Sequence, residues 1–213
     1  MKNSVEGRLA GGLIIAAVLG ALLMMLHHPT SFNGPDDGLL LNDWSNTAVH
    51  GAMIVCLFLF RFGFSTWARR LGEDYASVRA GTMAFEGGMN AFIGAALISG
   101  FAAGALAAQA DPEAVRQSFR AFGALNRALA NLGMVLTVVA MALWAIRMVQ
   151  LGTMTRIAGA LGLVVAIVGV GWMVVGQGSF GLYPATVATA LFGAWSLLVA
   201  SQMMTRDQPR DVL

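Results

Sequence analysis

Three histidines are the residues of this chain best suited to bind a ligand or a metal ion. His27 and His28 end one apolar run, and His50 lies early in the next. A neutral imidazole donates a hydrogen bond at one ring nitrogen and accepts one at the other, and it is also a common metal ligand. Only 17 residues separate Asp43 from Arg61, which is barely enough to cross a bilayer. His50 is therefore expected inside the membrane, about two turns below the outer surface.

The two adjacent histidines limit what a histidine site could hold. Because consecutive residues of a helix point about 100° apart, only one of His27 and His28 can face His50. One of them with His50 and an aspartate of the following connection would supply three zinc ligands, and two histidines on neighbouring helices would suffice for a haem. No HExxH or comparable spacing accompanies them. The sequence leaves a metal and a haem as alternatives and favours no cofactor.

A polar stripe precedes and enters the fourth apolar segment, at Arg116, Arg120, Arg127 and Asn131. At about 100° per residue these four side chains fall within about 60° of one another on a helix. We expect Arg127 and Asn131 to line a cavity together with His50. The alternative is a solvated extension, with Arg127 reaching the outer lipid headgroups.

Glu86 and Asn90 lie one helical turn apart at the start of the third apolar segment. The 24 uncharged residues from 87 to 110 can cross a bilayer without Glu86. This carboxylate is therefore expected at the cytoplasmic interface, near Arg79 or Arg147, the alternative being a buried group that couples to protons. Asn90 is expected to bond between helices. Together the two residues are candidates for a path from the cavity to the cytoplasm.

The composition identifies the medium in which these residues act. Of the 213 residues, 57% are hydrophobic and 11% are charged, whereas a soluble domain has about 25% charged residues. This excludes a soluble globular enzyme, a disordered protein and a nucleic-acid binder. The pI of about 9.2 does not indicate nucleic acid, since the net charge is only +2. With one cysteine, no intramolecular disulfide is possible.

Six segments are apolar enough to cross a bilayer as helices of about 17 to 25 residues. We therefore predict an all-α polytopic integral membrane protein, with six transmembrane helices in an up-down bundle and residues 1–213 in one domain. The first run is expected to be retained as a helix, because no signal-peptide cleavage site follows it. Asp111-Pro112-Glu113 predicts that the fourth helix begins before its span. The spans are expected at about 9–26, 44–60, 87–110, 128–146, 157–175 and 182–204.

The distribution of positive charges predicts the orientation of the bundle. With the N-terminus inside, ten of the 13 lysines and arginines fall in the inside connections or at the inner ends of the spans. By the positive-inside rule both termini are expected in the cytoplasm, and we assign the chain to a bacterial inner membrane. Trp67 and Trp144 fall near span ends, as in an aromatic belt at the two interfaces.

Small residues at every fourth position predict how the helices pack. Membrane helices associate by close backbone approach at such residues. Within the bundle these stripes would join neighbouring helices. The alternative is an interface with a second copy or with a partner subunit. The stripes are Gly12, Ala16 and Gly20; Ala96, Gly100, Gly104 and Ala108; and Ala158, Gly162 and Ala166.

These residues predict a small multi-pass membrane protein that binds a small ligand, or passes it, through a polar cavity open to the periplasm. His50, Arg127, Asn131 and either His28 or His27 would line the cavity. A membrane-embedded haem or metal redox enzyme and a non-catalytic subunit of a larger complex are the alternatives. Whether the chain is an enzyme stays open, since no GxSxG or P-loop motif is present. Its partners are the lipid bilayer and an unidentified small molecule, not nucleic acid.

Overall fold

A computed structural model describes residues 2–28, 46–107, 112–175 and 182–205 of the chain, and these residues are almost entirely helical. No strand occurs within those ranges. Five of the helices are long and apolar enough to cross a membrane. The helices are α1 (Lys2–Leu26), α2 (Asn46–Leu71), α3 (Ala76–Leu97), a π-helical segment (Ile98–Ala102), α4 (Ala103–Ala107), α5 (Pro112–Met148), α6 (Thr153–Val175) and α7 (Leu182–Thr205).

The predicted fold class is confirmed: the chain is an all-α polytopic membrane protein. The five qualifying helices are α1, α2, α5, α6 and α7. The third predicted span falls on α3, the π segment and α4, which follow one another without a break in the helical backbone. The helix α5 begins at Pro112 and runs for 37 residues, as its N-terminal sequence predicts.

The helices form a closed ring. Each of α1, α2, α3, α5 and α6 packs against the next long helix in the sequence, and α7 returns to pack against α1. The antiparallel course of α1 and α2 is visible at two glycines. A Cβ on Gly63 would lie 2.3 Å from Ile14, whereas a Cβ on Gly20 would lie 2.7 Å from Cys56. Residue numbers therefore increase along α1 in the direction in which they decrease along α2, so the two helices are antiparallel.

Several residues of the small-residue stripes pack inside the ring. A Cβ on Gly100 would collide with His50 of α2, and a Cβ on Gly162 would lie 2.8 Å from the indole nitrogen of Trp195. Together with Gly20 these positions permit close approach between helices of one chain. Gly12 differs, because nothing lies within 4 Å of the position its Cβ would take.

An aromatic cluster lies in the core of the bundle. The Phe64 ring stacks on Trp144 at 5.5 Å and 10°, and on Trp195 at 5.3 Å and 2°. The prediction of an interfacial belt is wrong for Trp67 and Trp144, which are buried within the bundle. Trp144 is in the core because its helix faces both α3 and the rings of Phe64 and Phe85. The cluster comprises Phe60, Phe64, Phe85, Trp144, Phe192 and Trp195.

The two ends of the bundle differ in chemistry. At the arginine end, which includes the start of α1 and the end of α2, Arg69 pairs with Glu6. There Arg147 donates from Nε to the Leu71 carbonyl at 3.2 Å, and its guanidinium lies 3.8 Å above the Tyr75 ring. At the opposite end, the histidine end, the end of α1 meets the start of α2 and the π segment. The aromatic cluster lies between the two.

Candidate functional site

The π segment anchors the first turn of α2. Asn46 donates from Nδ2 to the Ser99 carbonyl at 2.6 Å, and Thr47 donates from Oγ1 to the Gly100 carbonyl at 2.7 Å. In a regular α-helix these carbonyls would accept hydrogen bonds from backbone N–H groups four residues later. A π turn changes this hydrogen-bond pattern, and such turns are frequent at functional sites. The irregularity therefore fixes where α2 begins relative to α3.

His50 is placed by this anchor. A Cβ on Gly100 would lie 2.3 Å from the Cβ of His50, so only glycine allows the two backbones to approach so closely. The His50 side chain is 3% exposed, and its Nδ1 lies 2.9 Å from the Asn46 carbonyl. Because a carbonyl only accepts, Nδ1 carries the proton of the neutral ring, and Nε2 carries the lone pair.

His28 is the histidine that meets His50. The two ring centroids are 4.8 Å apart in an edge-to-face arrangement with an interplanar angle of 68°. His27 points elsewhere, since its Nδ1 lies 2.7 Å from the Leu23 carbonyl of its own helix. His28 is thus the member of the adjacent pair whose ring packs against His50.

A partly open cavity of about 390 Å³ lies inside the ring on the histidine side of the aromatic cluster. Residues of α1, α2, α3, the π segment, α5 and α7 line it. Its polar wall is formed by His28, His50, Ser99 and Asn126. The rings of Phe60 and Phe192, whose centroids are 5.3 Å apart, form its floor.

The interior of the cavity is less polar than its composition implies. Thr137 and Thr189 both line it, but each donates its hydroxyl proton at 2.8 Å to a carbonyl of its own helix, that of Gly133 or Ala185. Such bonds within a helix leave the methyl group as the part that a ligand meets. The cavity is therefore polar at the histidine end and apolar beyond it.

The structure places Arg127 and Asn131 outside the lining of this cavity. The face of α5 that lines it carries Asn126, Ala130, Met134 and Thr137. Arg127 is exposed and Asn131 is half-buried. The polar residues of the stripe do share one face of α5, but this face is rotated by about 100° from the face that lines the cavity. His50 and His28 line the cavity, whereas Arg127 and Asn131 do not, and Asn126 lines it instead. The side chain of Arg116, the first residue of the stripe, lies outside the described residues.

Glu86 and Asn90 also lie outside the cavity, where both contact Arg61. The Arg61 Nη2 is 3.7 Å from the Glu86 Oε2, and Arg61 Nη1 donates to the Asn90 Oδ1 at 3.2 Å. The expected pairing of Glu86 with Arg79 or Arg147 is wrong, because those arginines bond to backbone carbonyls at the arginine end. Neither Glu86 nor Asn90 is among the residues that line the cavity.

The helix register places this ion pair at mid-depth. The Cβ positions of Gly87 and Gly88 lie 3.2 Å from Leu136 and 2.9 Å from Thr137, at the centre of the apolar run 128–146. Glu86 is therefore level with Leu136 and Thr137 of α5, about halfway along the bundle. Arg61 lies at a similar level. Its neighbour Gly63 packs on Ile14, which is near the middle of α1.

No family model, curated protein or solved structure matches this chain.

A haem and a zinc ion place different requirements on the histidine site. A haem bound by His28 and His50 must fit its porphyrin between the two imidazoles, and their edge-to-face contact leaves no such space. For zinc, the described part of the chain contains no group of three or more His, Cys, Asp and Glu side chains able to hold an ion. The aspartates of the connection 29–45 lie outside the described residues.

Proposed function

We propose that this protein binds a small ligand within its membrane domain, in the cavity that His28 and His50 border. The protein is assigned to a bacterial inner membrane with both termini in the cytoplasm. This orientation rests on the excess of lysine and arginine at the arginine end. The histidine end, and with it the cavity, then faces the periplasm.

The observation that carries the proposal is the cavity itself. Its volume of about 390 Å³ lies within the range of about 300 to 1,000 Å³ that small-molecule sites occupy. Among the described residues that line it, none is Asp, Glu, Lys or Arg. A multiply charged ligand would find no counter-charge there, and the site suits an uncharged molecule or a monovalent ion.

Binding is better supported than passage through the bundle. Phe60 and Phe192 line the cavity, and Phe64 packs against both Trp144 and Trp195, whose ring centroids are 6.5 Å apart. A permeating ligand would have to separate these close-packed rings. The charged groups at mid-depth, Arg61 and Glu86, lie outside the cavity wall.

Native mass spectrometry of protein extracted from its own membranes tests the proposal. We expect the wild type to carry a bound mass that Ala130→Phe loses, because Ala130 lines the cavity and the new ring fills part of it. Ala128→Phe is the matched control, since Ala128 is exposed on the same helix. A wild type without any adduct, or an adduct that Ala130→Phe retains, would contradict the proposal.

A second function, self-association in the membrane, is supported by a separate observation. The Arg61 and Glu86 side chains are 35% and 40% exposed at a depth where lipid would otherwise surround them. Charges facing lipid are costly. One cation and one anion form a self-complementary patch, which two copies related by a twofold axis can share.

Sedimentation in mild detergent tests this second function. We expect a mass of two copies for the wild type and of one copy for the Arg61→Gln and Glu86→Gln variants. The control is Arg69→Gln, which removes a charge at the arginine end. A wild type of one-copy mass, or three variants that all remain dimeric, would refute the self-association.

A further inference from the structure

Nitrogen and sulfur donors are concentrated at the histidine end of the cavity. Met25 precedes His28 by three residues where α1 ends, and the His28 N–H donates to the Met25 carbonyl at 3.3 Å. Met53 follows His50 by three residues on α2, and residues three apart on a helix are neighbours on one face. All four side chains line the cavity. Because α1 and α2 run in opposite directions, each histidine has a thioether one turn deeper in the cavity.

The two histidine–methionine pairs face each other across one contact. Helices α1 and α2 pack together along their length, and the rings of His28 and His50 have centroids 4.8 Å apart. Four donors from α2 and the C-terminal end of α1 thus line the histidine end of the cavity. A fifth soft donor, Cys56, lies one turn below Met53 on the same wall.

His50 has the arrangement of a ligating histidine. Its Nδ1 donates to the Asn46 carbonyl at 2.9 Å, and Asn46 is held in turn by its bond to the π segment. Metal-bound histidines almost always donate their other ring nitrogen to such a partner, which fixes the tautomer and the ring orientation. Nε2 of His50 then carries the lone pair that a metal ion requires.

The donor types select the class of ion. Calcium and magnesium require oxygen ligands, and the lining has no carboxylate. Structural zinc sites use thiolate, imidazole or carboxylate in sets of four. Neutral thioether and imidazole donors favour Cu(I) among biological ions. A single positive charge also costs less to bury than two in a site without an anionic ligand.

We propose that Met25, His28, His50 and Met53 form a Cu(I) site at the histidine end of the cavity. The proposal rests on the proposed function, because the ion is the ligand of that same cavity. Cys56 is the next soft donor for an ion that moves deeper. Methionine in this site therefore has a chemical role beyond filling space.

A competition titration of the purified full-length protein tests the site. Cu(I), kept reduced with ascorbate, is titrated against the chromophoric chelator bicinchoninate. We expect one ion per chain in the wild type. The double variant Met25→Leu/Met53→Leu should lose at least about 100-fold in affinity, since loss of outer-shell partners alone costs about 10- to 100-fold. Leucine conserves volume, so the fold is retained.

The control is Met83→Leu/Met154→Leu, which changes two methionines that are 75% and 62% exposed on the outer surface of the bundle. Its Cu(I) affinity should equal that of the wild type. Unchanged affinity in Met25→Leu/Met53→Leu would overturn the assignment, because the ion would then bind elsewhere. So would a wild type that binds no Cu(I).

The failure of the Cu(I) site is distinguishable from the failure of the proposed function. If the wild type binds no Cu(I) but carries an organic adduct that Ala130→Phe loses, the cavity remains a ligand site and the metal assignment is wrong. If it binds no Cu(I) and carries no adduct, both are wrong.

Discussion

The ion pair between Arg61 and Glu86 gives the most quantitative prediction, because the interaction energy of two charges depends on whether water or lipid surrounds them. In Glu86→Gln the guanidinium loses its counter-charge and keeps its place beside Asn90. A lone arginine at the centre of a transmembrane helix costs about 2.5 to 3.5 kcal/mol on an insertion scale. We therefore expect Glu86→Gln to destabilise the protein by about 2 kcal/mol or more. Arg61→Gln, which leaves the carboxylate alone, should have a comparable effect.

The coupling between the two charges follows from their separation. At 3.7 Å the Coulomb attraction is about 4 kcal/mol at an effective dielectric constant of 20, and about 1 kcal/mol in water. Side chains that are 35% and 40% exposed would retain little of this attraction if water surrounded them. In a lipid environment we expect a coupling energy of about 2 kcal/mol.

A double-mutant cycle measures this coupling. The free energy of unfolding is measured in bicelles for the wild type, Arg61→Gln, Glu86→Gln and the double variant. The control is the same cycle on Arg69 and Glu6, a pair with exposures of 48% and 49% at the arginine end. That pair should couple by less than about 1 kcal/mol. Equal, weak coupling in both cycles would refute the mid-depth position of Arg61 and Glu86.

Three further predictions concern the packing that holds the site. Gly100→Ala should destabilise the protein by about 1 to 3 kcal/mol through its collision with His50, whereas Gly12→Ala, with open space around it, should leave the thermal midpoint unchanged. Trp144→Ala should cost about 3 to 5 kcal/mol in unfolding free energy, because it removes a fully buried ring. Asn46→Ala should cost about 1 kcal/mol through loss of its bond to the π segment, measured against a wild-type unfolding curve. Equal stability of the Gly100→Ala and Gly12→Ala variants, or a neutral effect of either other change, would contradict the packing described.

Much of the fold was predictable because bilayer thickness sets the length of an apolar run. The class of fold and the start of α5 at Pro112 follow from hydropathy and capping residues. The position of His50 inside the bundle followed from the short distance between two charged residues. These features depend on local sequence, which is why they needed no knowledge of the neighbouring helices.

The errors arose where the neighbouring helices decide the outcome. Span length suggested that Glu86 would pair with Arg79 or Arg147, but the register of α3 against its neighbours places Glu86 beside Arg61, about halfway along the bundle. Arg127 and Asn126 are adjacent in sequence, and only the rotation of α5 about its axis decides which one meets the cavity. Trp144 resembled a belt residue by position, but its helix turns it into the core.

One part of the site could have been found from the sequence alone. The spacing His50-x-x-Met53 places this methionine on the same helical face as a histidine, and Met25-x-x-His28 repeats the spacing where α1 ends. Methionine at helical spacing usually indicates packing. The contact between the two histidine rings distinguishes this case, and that contact needs the tertiary structure.

Sided labelling of Cys56 tests the central claim, a ligand cavity that opens to the outside, most directly. Cys56 lines the cavity and is the one cysteine in the chain. A membrane-impermeant cationic methanethiosulfonate should modify it in spheroplasts and not in inverted vesicles. Ser201→Cys in a Cys56→Ala background, exposed near the end of α7, should give the opposite result. Modification of Cys56 from the cytoplasmic side alone, or from neither side while detergent-solubilised unfolded protein reacts, would contradict the account.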